Sequence, residues 1–123
     1  MWTAVVPAHN ESGRIGRVLD NLSLLPLDRI FVIANGCTDT TVEDIQNMKY
    51  EKVQVLVFAD RLGIDIPRSI GAKHSLDLGA RGVLFVDGDM MGSFNEHLLK
   101  LINAINEGWD LALINCYPYI AYR

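Results

Sequence analysis

Two carboxylates separated by one glycine, Asp87-Gly88-Asp89, follow directly on the apolar run Val83-Leu84-Phe85-Val86. Four successive apolar residues, two of them β-branched, predict a strand buried on both faces. If the extended backbone continues through Gly88, the two carboxylates point the same way, roughly 6–7 Å apart at about 3.3 Å of rise per residue. At an effective dielectric near 20 such charges repel by about 2–3 kcal/mol. A cation between or beside them removes that repulsion. Hard divalent ions such as Mg²⁺ or Mn²⁺ take oxygen ligands, use one or two carboxylates, and leave positions for water and phosphate. The pair therefore reads as a metal–diphosphate site. The plainer alternative is two solvated loop aspartates that cap the next helix.

Other polar groups come in short clusters: Pro7-Ala8-His9-Asn10-Glu11 after one apolar run, Asn35-Gly36-Cys37-Thr38-Asp39 after the next. Glu11 and Asp39, each in a first helical turn, complement the helix dipole whether or not a ligand binds there. Arg68, just after Pro67 at a predicted helix start, has the wrong sign for that position, which points to a facing anion such as phosphate. His9 is a candidate neighbour of that ligand, whereas His74 and His97 fall on helices and read as surface or packing residues. Gly13-x-x-Gly16 is not the dinucleotide fingerprint, and the P-loop pattern is absent from the sequence, so NAD-type and P-loop readings have no support.

The elements that must position these groups alternate between two periodicities. Trp2–Val6 predicts a strand stopped by Pro7. Ile15, Val18, Leu19 and Leu22 mark the inward face of a helix with Asn10 or Ser12 as its N-cap, ended by Leu25-Pro26-Leu27. A second strand over Ile30–Ala34 leads to a helix that starts at Thr38 or Asp39 and turns Val42, Ile45 and Met48 inward. A third strand over Val53–Phe58 precedes a loop, Asp60–Pro67, and a helix over Arg68–Leu78 with a less regular apolar face. After the two aspartates comes a helix from about Phe94 to Glu107 carrying Leu98, Leu101, Ile102 and Ile105, then a last strand over Leu111–Ile114.

This alternation gives right-handed βαβ units and an α/β fold: a doubly wound, mostly parallel sheet with helices on both faces. With strand order 3-2-1-4 the polar clusters meet at the carboxyl ends of the strands, at the topological switch point where such sheets bind ligands.

The 123 residues suffice for one domain with a real core. Half are hydrophobic and the net charge is −4, which argues against nucleic acid and anionic membranes as partners. No apolar run reaches transmembrane length, and Met1-Trp2-Thr3 does not open a signal peptide. Cys37 and Cys116 lack metal-type spacing, so a cytoplasmic protein with two thiols is the simple reading.

Taken together, the motifs resemble the nucleotide-binding half of the GT-A-fold glycosyltransferases of family 2. The resemblance rests on Pro7-Ala8-His9-Asn10-Glu11, on Ala34-Asn35-Gly36-Cys37-Thr38-Asp39-Thr40-Thr41, on Pro67-Arg68-Ser69-Ile70-Gly71-Ala72, and on Asp87-Gly88-Asp89, in the family's order and spacing. It implies that Pro7, Ala8 and Glu11 lie along the nucleoside, with Asn35 near the base. Asp39 belongs to the nucleotide-binding set, and Arg68 approaches base or phosphates. Asp87 contacts ribose or metal, and Asp89 ligates Mn²⁺ or Mg²⁺ held by the diphosphate. The implied partners are a nucleotide-diphospho-sugar donor and an acceptor whose hydroxyl attacks the anomeric carbon. Where the family's second-strand turn begins with two aspartates, Ala34-Asn35 stands here, and an Asn can still hydrogen-bond a base.

The resemblance places the acceptor site and general base beyond Arg123. The ending Cys116-Tyr117-Pro118-Tyr119-Ile120-Ala121-Tyr122-Arg123 reads like a cut through a longer protein. Residues 1–123 are thus expected to form one nucleotide-diphospho-sugar-binding domain, inactive alone, whose open sheet edge would allow a homodimer. Two competing readings stand beside this one. The first is a haloacid-dehalogenase-like phosphatase with Asp87 as nucleophile and Asp89 as acid/base. The second is a nucleotide-binding fragment without turnover.

Overall fold

The computed structural model describes residues 1–113. Strands β1 (Trp2–Ala8), β2 (Arg29–Asn35), β3 (Val53–Phe58) and β4 (Gly82–Phe85) form one parallel sheet in the order β3-β2-β1-β4. Helices α1 (Ile15–Ser23), α2 (Thr41–Met48) and α3 (Asp65–Asp77) link successive strands, and α4 (Asn95–Asn106) follows β4. The expected order 3-2-1-4 is the observed one. The chain winds outward from β1 to β3, then returns to the far side of β1.

Alternation along the strands separates two packed faces. Ala4 and Val6 of β1, Ile30 and Val32 of β2 and Leu84 of β4 share a core with Ile15, Val18, Leu19 and Leu22 of α1. Ile45 of α2 and Leu98 and Ile102 of α4 complete that side. On the opposite face Val5, Phe31 and Ile33 are buried, with the half-buried Ile70 of α3 packed against them.

Helix α3 meets the sheet through a stripe of small residues, Pro67, Gly71 and Ser75, all buried at a spacing of four. A Cβ at Gly71 would lie 2.2 Å from Val5 Cγ1, so only glycine allows this approach. A buried hydroxyl pair fixes it, Thr3 Oγ1 donating to Ser75 Oγ at 2.7 Å and Ser75 Oγ donating to the Gly71 carbonyl at 2.9 Å. These small and polar contacts explain the weak apolar periodicity of this segment.

Several expectations need correction. β1 does not stop at Val6 but runs through Pro7 to Ala8, still paired with β2. Val86 N–H donates to Val5 O at 3.0 Å, and in a parallel ladder the Val86 carbonyl would next take the N–H of residue 7. Proline has none, so Pro7 ends the β1–β4 pairing and not the strand.

Neither Asn10 nor Ser12 caps α1, whose N-cap position is Arg14, without a side-chain bond. α3 starts at Asp65, not Arg68, because Pro67 is tolerated in a first turn whose N–H groups lack helical partners anyway. Among the described residues β4 lies at the edge of the sheet and is not buried on both faces; Phe85 is 48% exposed. Leu111–Leu113 are not a strand, while Ile114 and the Cys116–Arg123 ending lie outside the described residues.

The N-terminus of α4 is capped from a distance. Asn21 on α1 accepts from Phe94 N–H at 2.8 Å and Asn95 N–H at 3.2 Å, and donates to the carbonyls of Arg17 and Gly92. This clamp fixes the far end of the segment that carries Asp87 and Asp89. Among the described residues no helix is long and apolar enough to cross a membrane.

Candidate functional site

At the carboxyl ends of the four strands a cleft of about 320 Å³ opens beside the point where β1 and β4 part. From β1 and its exit loop come Pro7, Ala8, His9 and Glu11, and from the end of β2 comes Asn35. The loop after β3 contributes Arg61, Gly63 and Ile64. α3 adds Arg68, and the turn after β4 adds Asp87, Gly88 and Asp89. Eight residues singled out from sequence (Pro7, Ala8, His9, Glu11, Asn35, Arg68, Asp87 and Asp89) thus share one cleft. Asp39 stands apart and does not line it.

The cleft is held by contacts between neighbouring loops. Gly88 is buried against the first loop, where a Cβ would meet the Pro7 carbonyl oxygen at 3.1 Å and Glu11 Cγ at 3.2 Å. The first and second loops are stitched together by Asn10, whose Oδ1 accepts from Thr38 N–H at 2.8 Å and Asp39 N–H at 3.3 Å. Asn10 takes a left-handed φ of 51° to do so, a conformation Asn tolerates better than most residues.

Asp39 accepts from Ser12 N–H at 3.1 Å, from Thr41 N–H at 3.0 Å, and from the Thr41 hydroxyl. The Thr41 hydroxyl, and after it the two backbone N–H groups, hold the Asp39 carboxyl below the usual aspartate range despite an opposing effect of burial. α2 thus starts at Thr41 with Thr40 in the N-cap position, not at Thr38 or Asp39; Asp39, just ahead of the helix, bonds its first N–H and braces the loops behind the cleft.

Charges inside the cleft are partly matched. Glu11 pairs with Arg14 at 2.8 Å. Arg68 has a carboxylate beside it; its Nη2 lies 3.4 Å from Asp87 Oδ1. Both partners are well exposed, so the pair adds less than about 1 kcal/mol to stability, and its effect is on orientation. His9 Nδ1 donates to the Asn35 carbonyl across 2.7 Å; that oxygen can only accept, so Nδ1 carries the proton.

Sequence reasoning passed over Arg61, Gly63 and Ile64. The signal was available, since the loop after the third strand ends on the same rim as the others. A second, larger groove of about 460 Å³ runs along β4 and α4, lined mostly by apolar side chains such as Trp2, Leu84, Phe85 and Leu98. It touches Arg68 and Asp87 at one end, but the polar groups converge on the smaller cleft.

A doubly wound parallel sheet with a polar cleft at its switch point is the architecture of nucleotide-binding α/β domains. Residues 3–121 match the family described as Glycosyl transferase family 2, and the chain belongs to that family. A search among curated proteins gave no match. Membership leaves the phosphatase alternative for Asp87 and Asp89 without support.

Proposed function

We propose that this cleft holds the nucleoside diphosphate of a nucleotide-sugar donor, and that residues 1–123 act as the donor-binding domain of a metal-dependent glycosyltransferase. The observation that carries this reading is the convergence of Pro7, Ala8, Glu11, Arg68, Asp87 and Asp89 on one cleft at the switch point. Pro7 and Ala8 offer a low wall for the nucleoside, with the Glu11 carboxylate as acceptor for its hydroxyl groups.

The donor set suits Mg²⁺ or Mn²⁺. Asp87 and Asp89 supply hard oxygens, and among the described residues no group of three or more His, Cys, Asp or Glu could hold a metal alone. A two-carboxylate site completed by water and phosphate oxygens is the normal arrangement for Mg²⁺. When bound, the ion would offset the negative charge that builds on the departing diphosphate. Arg68, held beside Asp87 before any ligand arrives, presents its remaining N–H groups to the same phosphates without reorganisation.

Isothermal titration of the 123-residue chain with UDP and with GDP, each with and without Mn²⁺, tests the reading. Binding that requires Mn²⁺ is expected for one of the two. No binding by folded protein refutes the donor site, and binding indifferent to metal reduces it to a nucleotide-binding fragment.

A further inference from the structure

We infer that Arg61 is the cation that recognises the donor's diphosphate, and that Asn35 acts through Arg61 by holding its loop and not by reading the base. The inference rests on the donor-site reading and deepens it. Asn35 is only 5% exposed. Its Oδ1 accepts from Leu62 N–H at 2.6 Å, its Nδ2 donates to the Gly63 carbonyl at 2.9 Å, and its own carbonyl is taken by His9. The amide that looked free to meet a base is committed to the backbone of the neighbouring loop.

Gly36 grips the same loop from its other end. It has φ +65°, and a Cβ there would come within 2.7 Å of Arg61 N and 3.0 Å of Arg61 Cα. The Asn35-Gly36 dipeptide thus fixes residues 60–63 through two partly buried hydrogen bonds and one close backbone contact. Such a fixed loop presents whatever charge it carries at little entropic cost on binding.

The charge it brings to the cleft is Arg61. Arg14 and Arg68 are each paired with a carboxylate, at 2.8 and 3.4 Å, whereas Arg61 has no ion pair among the described residues. Arg61 and Arg68 are the guanidinium groups lining the cleft, and only Arg68 is matched there. A guanidinium is planar, weakly hydrated and shaped for two parallel hydrogen bonds to phosphate oxygens. A nucleoside base offers no net charge to answer it. The diphosphate does.

The experiment compares wild type, Arg61→Gln, Arg61→Lys, Asn35→Ala and Arg61→Gln/Asn35→Ala by titration in Mn²⁺ against the diphosphate that binds (UDP or GDP), its monophosphate and its nucleoside. Circular dichroism checks that each variant is folded. Arg61 is exposed, so its variants keep the fold. Arg61→Gln should weaken the diphosphate by about ten- to hundredfold, the weight of a charged hydrogen bond, and leave the nucleoside unchanged. Arg61→Lys should recover part of that loss. Asn35→Ala removes both bonds to the loop without adding a charge; it should weaken the diphosphate in the wild-type background and have no further effect beside Arg61→Gln. A merely structural role for Asn35 would add its loss in both backgrounds.

Equal affinity of Arg61→Gln and wild type for the diphosphate overturns the inference and leaves the donor site standing. So does a loss at Asn35→Ala that appears equally with the free nucleoside. If wild type binds none of the three ligands, the donor-site reading itself falls and this inference falls with it.

Discussion

Gly71→Ala is the sharpest mechanical test of how α3 reaches the sheet. The new methyl would lie 2.2 Å from Val5 Cγ1 and 2.7 Å from Cγ2. Non-bonded carbons rest at about 3.5–4.0 Å, so α3 must lift by at least about 1.3 Å or Val5 must leave its rotamer. Neither adjustment is open, because Val5 is fully buried and the Thr3–Ser75–Gly71 hydroxyl contacts tie the helix down. Overpacking of this severity costs about 3 kcal/mol, and the better helix propensity of Ala returns about 1, leaving a net loss of about 2 kcal/mol. Urea unfolding followed by circular dichroism measures it.

The decisive arm is a double-mutant cycle with Val5→Ala, which removes both clashing methyls. Val5→Ala costs stability by itself through the lost burial, but Gly71→Ala should then add almost nothing, because the remaining 3.0 Å contact with the residue-5 Cβ offsets the gain in helix propensity. The coupling energy should therefore be about 2 kcal/mol, well above the error for independent sites. Strictly additive losses, or a Gly71→Ala protein as stable as wild type, would refute the close-approach account. Arg68 lies three residues before Gly71 on the same helix, so the single mutant should also weaken nucleotide binding.

Asp89→Ala should abolish the Mn²⁺ dependence of nucleotide binding, while Glu11→Ala should weaken binding several-fold without removing it; titration with and without metal separates the two. Asn21→Ala strips the remote cap from α4 and should cost about 1–2 kcal/mol, read as a drop in urea midpoint, with a parallel loss of metal affinity because the Asp87–Asp89 segment loses its anchor. Asp39 should titrate below an ordinary aspartate in a carbon-detected NMR experiment, and Thr41→Val should return it toward the normal range. Its pKa is lower folded than unfolded, so its contribution to stability is fully present above about pH 4 and fades as pH falls through the folded-state value. A Thr41→Val protein with an unmoved Asp39 midpoint would contradict the stated cause.

Elements with strong periodicity were legible from sequence. Ile15, Val18, Leu19 and Leu22 gave α1, and the alternating apolar strands gave a parallel sheet whose observed order fulfils the switch-point argument. Positions where backbone geometry outweighs side-chain type were not. Pro7 reads as a breaker, yet it sits inside β1 because its missing N–H faces a neighbour strand that is already leaving. The start of α3 was obscured by Pro67 and by a contact face made of Gly and Ser, which carries no hydrophobic signal. The cleft was legible in most of its members, since rim position follows from topology alone. Asn35 and Arg61 were harder to read: no spacing rule tells that an amide is committed to one loop, or that its beneficiary is an arginine far along the chain.

Pro7 also has a consequence for the shape of the ligand site. An ordinary amide at position 7 could have met the Val86 carbonyl, and β4 would have zippered alongside β1 for a further step. Asp87 would then be drawn down toward the sheet, and the crevice mouth would narrow. Pro7 leaves that step unmade, and a substitution that restores the amide is expected to narrow the opening between the first and fourth strands.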